Sequence, residues 1–438
     1  MGLITLILLL GLETFFLLWS IFTKRNHSQE KSVIRIAVLI LFGIFLITGI
    51  LEWGFRYDLI LLVLMIQAIV GIVILVRKIE RDYRFKKTIF RFVKNCIVFS
   101  LALFIAILCP QYKQPQVTGN LKVATAKYTW VDQNRIETFS KKKENRALTV
   151  EFWYPKTKKA NETYPLVVFS HGAFGFSGSN HSTFEELASH GYVVASIGHT
   201  YHAFYTLDTS GKLTIVNTDF LNSVYAINAM DDVKQAQEIF DTEQKWMKLR
   251  TDDENFVLDT ILSKTKGSKK ANSMFSLINP EKIGLFGHSL GGASAAELGR
   301  ERTDIDAVID LDGTMLGEET GVKKDGKAIL IDTPYPVPLL NIYAEDHYTN
   351  AKKLVGDDYD NFVATKNARC ADYVVIKNAG HLNFTDLPLF SPILAKKLGV
   401  GTVDARYCID TTNKIVLQFF NGYLKDKGTP NLKKEYSF

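Results

Sequence analysis

The stretch EKIGLFGHSLGGASAAELG, residues 281–299, decides the fold of the larger part of this chain. An apolar run leads into the pentapeptide GHSLG, which fits the pattern G-x-S-x-G, and a helix-forming segment of small residues follows. A buried strand, a sharp turn and a closely packed helix are the setting of a nucleophile elbow. The pentapeptide alone recurs by chance in glycine-rich sequence, but in this setting it predicts Ser289 as an exposed nucleophile.

Around this stretch, short apolar runs alternate with helix-like segments. The runs that read as strands are residues 147–155, 164–172, 192–200, 282–289, 307–313 and 337–346. Apolar strands separated by helices predict a mostly parallel sheet covered on both faces, with catalytic side chains at the carboxyl ends of the strands. Residues 203–280 are too long for an ordinary connection. This insertion is expected to form either a cap over the site or a solvated decoration.

A serine nucleophile requires a histidine base and a carboxylate that orients the base. In this type of sheet the three follow the order serine, acid, histidine, and only His347 and His381 follow Ser289 at a distance. His381 follows the apolar run YVVIKN late in the chain and is the favoured base. For the acid, Asp312 and Asp346 each follow an apolar strand and are nearly equal candidates, whereas Asp310 lies deeper in its strand.

The oxyanion of an acyl-transfer intermediate needs two backbone N–H donors. Leu290, directly after the nucleophile, is expected to supply one, and Ala173, in the loop after PLVVFSHG, the other. His171 in that loop is expected to be structural. The sequence has no zinc-type Cys/His spacing and no phosphate-binding loop of the Walker type, so we expect neither a metal nor an organic cofactor.

The first 110 residues have a different composition and are predicted to form a membrane domain. Four apolar stretches, residues 3–22, 36–53, 59–76 and 92–109, approach the length that crosses a bilayer. Glu13 and Gln67 are the main polar residues within them, and an interhelical hydrogen bond is the expected role of Glu13. A linker with the first strands should occupy residues 111–145, and the catalytic domain residues 146–438.

Lysine and arginine residues collect after the first and third stretches, whereas the loop after the second contains only Arg56. Basic loops remain in the cytoplasm. With four spans, both termini and the catalytic domain would face the outside of the plasma membrane; if the fourth stretch does not cross, this conclusion reverses. The net charge of +6 is therefore attributed to topology, and no nucleic-acid partner is expected.

Taken together, PLVVFSHGAFG, ELASHGYVVASIGH, GHSLGGA, LDG, HLNFTD and CIDTTNKIVLQFF resemble, in the same order, segments of the plasma-type and type II platelet-activating factor acetylhydrolases. The resemblance covers about residues 150–425. It implies an α/β-hydrolase fold, Ser289 as nucleophile, Asp312 in preference to Asp346 as acid, and His381 as base. It also implies Leu290 and Ala173 as oxyanion donors, and short or oxidised acyl chains of phospholipids as substrates. The four N-terminal spans depart from that family.

Several alternatives remain open from the sequence. The hydrolase fold could be a catalytically silent binding module, the spans could carry the function, or the enzyme could be a cutinase-like polyester hydrolase or an acyltransferase, because both use the same triad. Cys370 and Cys408 could form a disulfide outside the cell or be two free, buried thiols.

Overall fold

The computed structural model describes residues 1–156, 162–267 and 273–438, which form two compact units. The first unit contains Met1–Lys113 and Leu389–Ala395. The second contains Gln114–Pro388 and Lys396–Phe438. The change of composition near residue 110 therefore coincides with a structural boundary, because an apolar helical unit and a mixed α/β unit bury different kinds of surface.

Four helices form most of the first unit: α1 (Gly2–Thr23), α2 (Ser28–Ile47), α3 (Asp58–Val76) and α4 (Phe85–Leu108). Three segments among the described residues are long and apolar enough to cross a membrane: Gly2–Thr23, Phe55–Val76 and Phe85–Leu108. These helices are compatible with membrane association. The predicted fourth span is among the three, and α4 begins earlier than predicted, so that Lys86, Lys87 and Arg91 lie in its first turns.

The second predicted span, residues 36–53, needs correction. The helix α2 begins at Ser28 and ends at Ile47, so it includes Glu30, Lys31 and Arg35 and excludes the last residues of the predicted stretch. These charged residues leave an uncharged run of only 12 residues, 36–47, which is shorter than the hydrocarbon core requires. By length and apolarity, three helices rather than four meet the requirement.

The charge of Arg35 is matched inside the first unit. Arg35 Nη2 donates to Glu13 Oε1 on α1 at 2.8 Å, and Asn95 Nδ2 on α4 donates to Glu13 Oε2 at 3.0 Å. Glu13 is thus the buried acceptor that joins three helices, in line with the interhelical hydrogen bond expected for it. Pairing removes most of the penalty of burying either charge alone.

In the second unit, β1 to β4 are Val123–Ile136, Asn145–Pro155, Tyr164–Ser170 and Val193–Gly198; β5 to β8 are Tyr205–Leu207, Leu213–Ile215, Ile278–His288 and Ala307–Leu311; β9 to β13 are Glu319–Val322, Ala328–Leu330, Leu339–Ala344, Ala371–Ile376 and Glu435–Tyr436. The helices α5 to α9 are His181–Ser189, Thr218–Ile227, Ala236–Gly267, Leu290–Glu301 and Glu345–Leu354; α10 to α13 are Asp360–Asn367, Leu387–Phe390, Pro392–Leu398 and Ala405–Leu424.

Nine strands form the central sheet in the order β1-β2-β4-β3-β7-β8-β11-β12-β13. All neighbouring pairs are parallel except β1 with β2 and β2 with β4. The carboxyl ends of β3, β7, β8, β11 and β12 therefore meet at one edge of the sheet. This is the edge at which the predicted catalytic residues follow their strands.

Each face of the sheet carries its own apolar core. One core joins Phe169 and Phe286 to Phe184 of α5 and Phe420 of α13. The other joins strand residues such as Val168 to α7 and α8. Helices on both faces explain why the central strands are continuously apolar rather than alternating.

The predicted insertion contains the β5–β6 hairpin, α6 and the 32-residue helix α7. Its residues 268–272 lie outside the described residues. The packing of α7 against α8 and the second core makes the insertion part of the fold and excludes a solvated decoration for this helix.

Cys370 and Cys408 are not joined in a disulfide. Cys408 is buried, which raises the pKa of its thiol to about 12. Cys370 is exposed, contrary to the expectation that two free thiols would both be buried. The exposed Cys370 is therefore the more accessible of these two thiols.

Candidate active site

Ser289 stands at a sharp turn between β7 and α8. Its backbone has φ 56° and ψ −127°, which is a strained conformation for a residue with a side chain. The glycines two positions before and after Ser289 have no room for side chains of their own. A Cβ on Gly287 would collide with the Gly291 carbonyl, and a Cβ on Gly291 would collide with the Ser170 carbonyl. The two glycines thus permit the tight strand-to-helix turn that the pentapeptide predicted.

Asp312 lies at the end of β8 and is completely buried as a side chain. His381 Nδ1 donates to Asp312 Oδ2 at 2.7 Å, and the Ala344 N–H donates to Asp312 Oδ1 at 2.6 Å. Burial alone would raise the pKa of Asp312, but the hydrogen bonds from His347 and His381 outweigh burial and hold this pKa below its ordinary value. An ionised Asp312 can only accept, so Nδ1 of His381 carries the proton and Nε2 is free to accept one.

The other candidate acids lie elsewhere. Asp346 is exposed, and its Oδ1 accepts from the His347 N–H at 2.7 Å. Asp310 is buried deeper, where its carboxylate accepts from the Gly313 N–H and from Asn361 Nδ2. Burial raises the pKa of Asp310 to about 7. Of the three carboxylates, Asp312 is the one in contact with His381.

His347 is the second histidine on Asp312. Its Nδ1 donates to Asp312 Oδ1 at 3.0 Å, and its Nε2 lies 2.8 Å from the Tyr359 hydroxyl. Burial lowers the pKa of His347, but the hydrogen bond to Asp312 outweighs burial and raises it above the ordinary value. The sequence favoured His381 over His347 as the base. It contained no signal that both histidine rings would donate to the carboxylate of Asp312.

His288, the residue before Ser289, also contacts the predicted base. Its Nε2–H donates to the His381 carbonyl oxygen at 3.0 Å, and the two ring centroids are 4.5 Å apart. Burial, together with the nearby His381, lowers the pKa of His288 to about 3. His288 is therefore neutral and fastens the loop that carries His381 to the elbow that carries Ser289.

The loop after β3 lies against the elbow. A Cβ on Gly172 would come within 3.1 Å of Ser289 Cβ, a tight contact that glycine avoids. The next residue is Ala173, and Leu290 follows Ser289 as the first residue of α8. Neither N–H donates a hydrogen bond to any residue that the structure describes. One of these free amides therefore directly follows Ser289, and the other belongs to the loop that lies against the elbow.

Arg250, on the insertion helix α7, holds this loop. It is fully buried, and its Nη1 and Nη2 donate to the carbonyl oxygens of His171 at 2.7 Å and Gly172 at 3.3 Å. Burial lowers the pKa of Arg250 to about 9, which still leaves the guanidinium charged at neutral pH. Sequence reasoning missed Arg250, because one arginine in a polar helix carries no sign of its destination.

One turn further along α7, Asp253 ties the insertion to the sheet. Its carboxylate accepts from Arg146 Nε and Nη2, each at 2.7 Å, and from His199 Nδ1 at 2.9 Å. Burial acts to raise the pKa of Asp253, but the charge and hydrogen bonds of Arg146 hold it well below its ordinary value. These contacts hold α7 in place against the sheet. They therefore also position Arg250, on the same helix, beside the loop after β3.

A separate apolar cluster includes the side chains of Leu290 and Ala173. Phe220 of α6 and Met247 of α7 pack with Leu290 and Ala293 of α8, and Ala173 is one of the partly buried residues against them. The insertion thus supplies apolar walls beside Ser289. No group of three or more His, Cys, Asp or Glu side chains that could hold a metal occurs within residues 1–156, 162–267 and 273–438.

Over residues 149–436 the chain matches the family described as platelet-activating factor acetylhydrolase, isoform II. Platelet-activating factor acetylhydrolases from Cavia porcellus, Canis lupus familiaris and Bos taurus are each 25% identical to it. Each match covers 61% of this chain, and it covers 59% of the first relative and 58% of the other two. The chain thus spans less than two thirds of the length of these relatives.

Among solved structures, a ferulic acid esterase from Streptomyces cinnamoneus superposes with a TM-score of 0.52. The superposition covers 73% of this chain and 94% of the esterase, at 22% sequence identity. At this identity the likeness concerns the fold, and it agrees with a mostly parallel sheet flanked by helices. The expected α/β-hydrolase fold is thereby confirmed.

We predict that the contribution of His347 to stability depends on pH. Its pKa is raised in the folded state, so its stabilisation is complete below the unfolded pKa of about 6.5 and is lost as pH rises through the folded pKa. His347→Gln should therefore lower the free energy of unfolding more at about pH 5.5 than at about pH 9. Urea denaturation followed by tryptophan fluorescence measures this difference.

His190→Gln is the matched control, because it removes a partly exposed histidine directly after α5, far in sequence from Asp312. A destabilisation by His347→Gln that is constant with pH, or that grows as pH rises, would contradict the raised pKa.

Proposed function

The chain belongs to the platelet-activating factor acetylhydrolase isoform II family, and from this membership we propose that it is a membrane-anchored serine esterase. The observation that carries the proposal is the pair His381 Nδ1–Asp312 Oδ2 at 2.7 Å, at the same sheet edge as the strained Ser289. A buried carboxylate that accepts from histidine Nδ1 makes Nε2 the acceptor of the neutral ring, which is the arrangement that activates a serine.

In the proposed mechanism, His381 Nε2 takes the proton of Ser289 Oγ while Oγ attacks the ester carbonyl carbon. Asp312 keeps the required tautomer and stabilises the imidazolium that forms. The N–H groups of Leu290 and Ala173 donate to the oxyanion of the tetrahedral intermediate. The intermediate collapses with cleavage of the ester C–O bond, and the alcohol leaves with the proton from His381.

Water then completes the cycle. It attacks the acyl-enzyme carbonyl and gives a proton to His381; the second intermediate then releases the carboxylic acid by expelling Ser289 Oγ, which takes that proton back from His381. No step requires a metal or a redox cofactor, because proton transfer and oxyanion donation supply the catalysis.

We propose short or oxidised acyl chains of phospholipids, or similar small esters, as substrates. Support comes from the apolar cluster of Phe220, Met247, Leu290 and Ala293, which adjoins both proposed oxyanion donors and suits an acyl chain. The relatives in the family are named for an acetyl hydrolase, which accords with a small acyl group.

For the membrane part, we propose four spans in the plasma membrane and an extracellular catalytic unit. The helix α2 has 20 residues and is about 30 Å long, so as a fourth span it would have to carry the charge of Arg35. The ion pair between Arg35 and Glu13 reduces the penalty of its charge. The basic loops after α1 and α3 favour a cytoplasmic position for that end of the helices.

Ser289→Ala should abolish the hydrolysis of p-nitrophenyl acetate by the full-length protein in detergent. Loss of a triad serine lowers kcat by about 10⁶-fold in a serine protease, which would bring this activity to background. A fluorophosphonate probe should label the natural protein and not the variant. Undiminished turnover in the variant would falsify the triad, and absence of both turnover and labelling in the natural protein would favour a silent binding module.

Arg250→Met should lower kcat for the same ester about 10–100-fold, because the loop that presents the Ala173 N–H loses its two guanidinium contacts. Titration of active sites with the fluorophosphonate normalises the rate to correctly folded enzyme. Lys248→Met, an exposed position two residues earlier on α7, should leave kcat unchanged. An unchanged kcat in Arg250→Met would show that the loop is held without this residue.

Cys370 provides a test of the proposed orientation, because it is an exposed free thiol in the catalytic unit. A membrane-impermeant maleimide applied to intact cells should label the natural protein, and Cys370→Ser should remove that label. Labelling that appears only after the membrane is opened would contradict the extracellular assignment and favour three spans.

A further inference from the structure

A small cleft lies within the first unit, at the end where α1 and α3 finish and α2 and α4 begin. The polar and charged residues that line it are Glu13, Asn26, Ser28, Lys31, Ser32, Arg35, Arg81, Thr88 and Arg91. Phe16, Leu17, Ile74 and Phe92 form its apolar walls. The cleft therefore combines a basic polar part with hydrocarbon surfaces at the basic end of the helices.

The positive charges in this cleft exceed the negative ones by three. Among the described residues that line the cleft there are four cations and one carboxylate, Glu13, and Arg35 is paired with that carboxylate. Within the part of the chain that the structure describes, Lys31, Arg81 and Arg91 form no ion pair with a carboxylate; Lys31 Nζ donates to the hydroxyl of Ser20 at 2.6 Å. Three cations without counter-charges repel one another, most strongly where the surroundings are apolar.

One donor in the cleft is also left without an acceptor. Arg35 Nε is buried and has no hydrogen-bond partner among the described residues. A buried guanidinium N–H without a partner carries a desolvation penalty that an oxygen ligand would remove. Guanidinium groups bind phosphate oxygens through several parallel hydrogen bonds, and a lysine adds a point charge.

We propose that this cleft binds the phosphate group of an anionic membrane phospholipid. The phosphate oxygens would be held by Lys31, Arg35, Arg81 and Arg91, with the glycerol and first acyl carbons against Phe16 and Phe92. Basic residues at the cytoplasmic end of a helical bundle lie at the depth of the anionic headgroups. The site would fix the helices against the inner leaflet, independently of the chemistry at Ser289.

The test uses full-length protein in detergent and native mass spectrometry. The probes are phosphatidylglycerol, phosphatidylcholine with the same acyl chains, and inorganic phosphate. We expect phosphatidylglycerol to bind at least tenfold more tightly than phosphatidylcholine. Arg91→Gln should weaken phosphatidylglycerol binding about fivefold, the loss expected for one basic residue at a membrane surface. Arg91→Lys should recover most of it and exclude misfolding as the cause.

Lys87→Gln is the matched control, since Lys87 is an exposed basic residue on the same helix, outside the cleft. It should leave the affinity for phosphatidylglycerol within twofold. Equal weakening by Arg91→Gln and Lys87→Gln, or equal binding of the two lipids, would overturn the proposal. Binding of inorganic phosphate that displaces the lipid would support the phosphate site but assign it to a soluble ligand.

Discussion

The buried carboxylate of Asp312 is the interaction on which the catalytic end of the sheet depends. It accepts from the Ala344 N–H and His347 at the end of β11 and from His381 after β12, two different stretches of the sequence. A buried ionised carboxylate is stable only with such donors. The Asp312 carboxylate in turn immobilises these donors. It therefore holds together the ends of β8 and β11 and the loop after β12.

A second constraint comes from two buried charges on α7, which attach the insertion to the rest of the α/β unit. Arg250 and Asp253 lie one turn apart on α7 and are both fully buried. The charge of Asp253 is paired with Arg146, and uncharged His199 donates to its carboxylate, whereas Arg250 faces the carbonyls of the loop beside Ser289. A long helix that buries two charges can adopt only the position in which both find partners. The same position brings Met247 of α7 into the apolar cluster beside Leu290.

In the helical unit, too, a buried charge is stable only where it finds a partner. Glu13 joins α1, α2 and α4 because Arg35 and Asn95 have no better acceptor inside an apolar bundle. This explains why hydropathy predicted the extents of α1, α3 and α4 well, whereas it missed the charged first part of α2. A window of residues counts Arg35 as a penalty, whereas its actual environment depends on a partner 22 positions away.

The sequence by itself determined the alternation of central strands with helices, the elbow at Ser289 and the boundary near residue 110, because these depend on local periodicity, glycine positions and composition. It left Asp312 and Asp346 nearly equal on the residues alone and could not show that His347 would share Asp312, or that Arg250 would hold the loop before Ala173. Those relations were decided by the tertiary structure. The reason is physical: burial and pairing depend on which distant residues a parallel sheet brings together, and nothing in a short window of sequence records them.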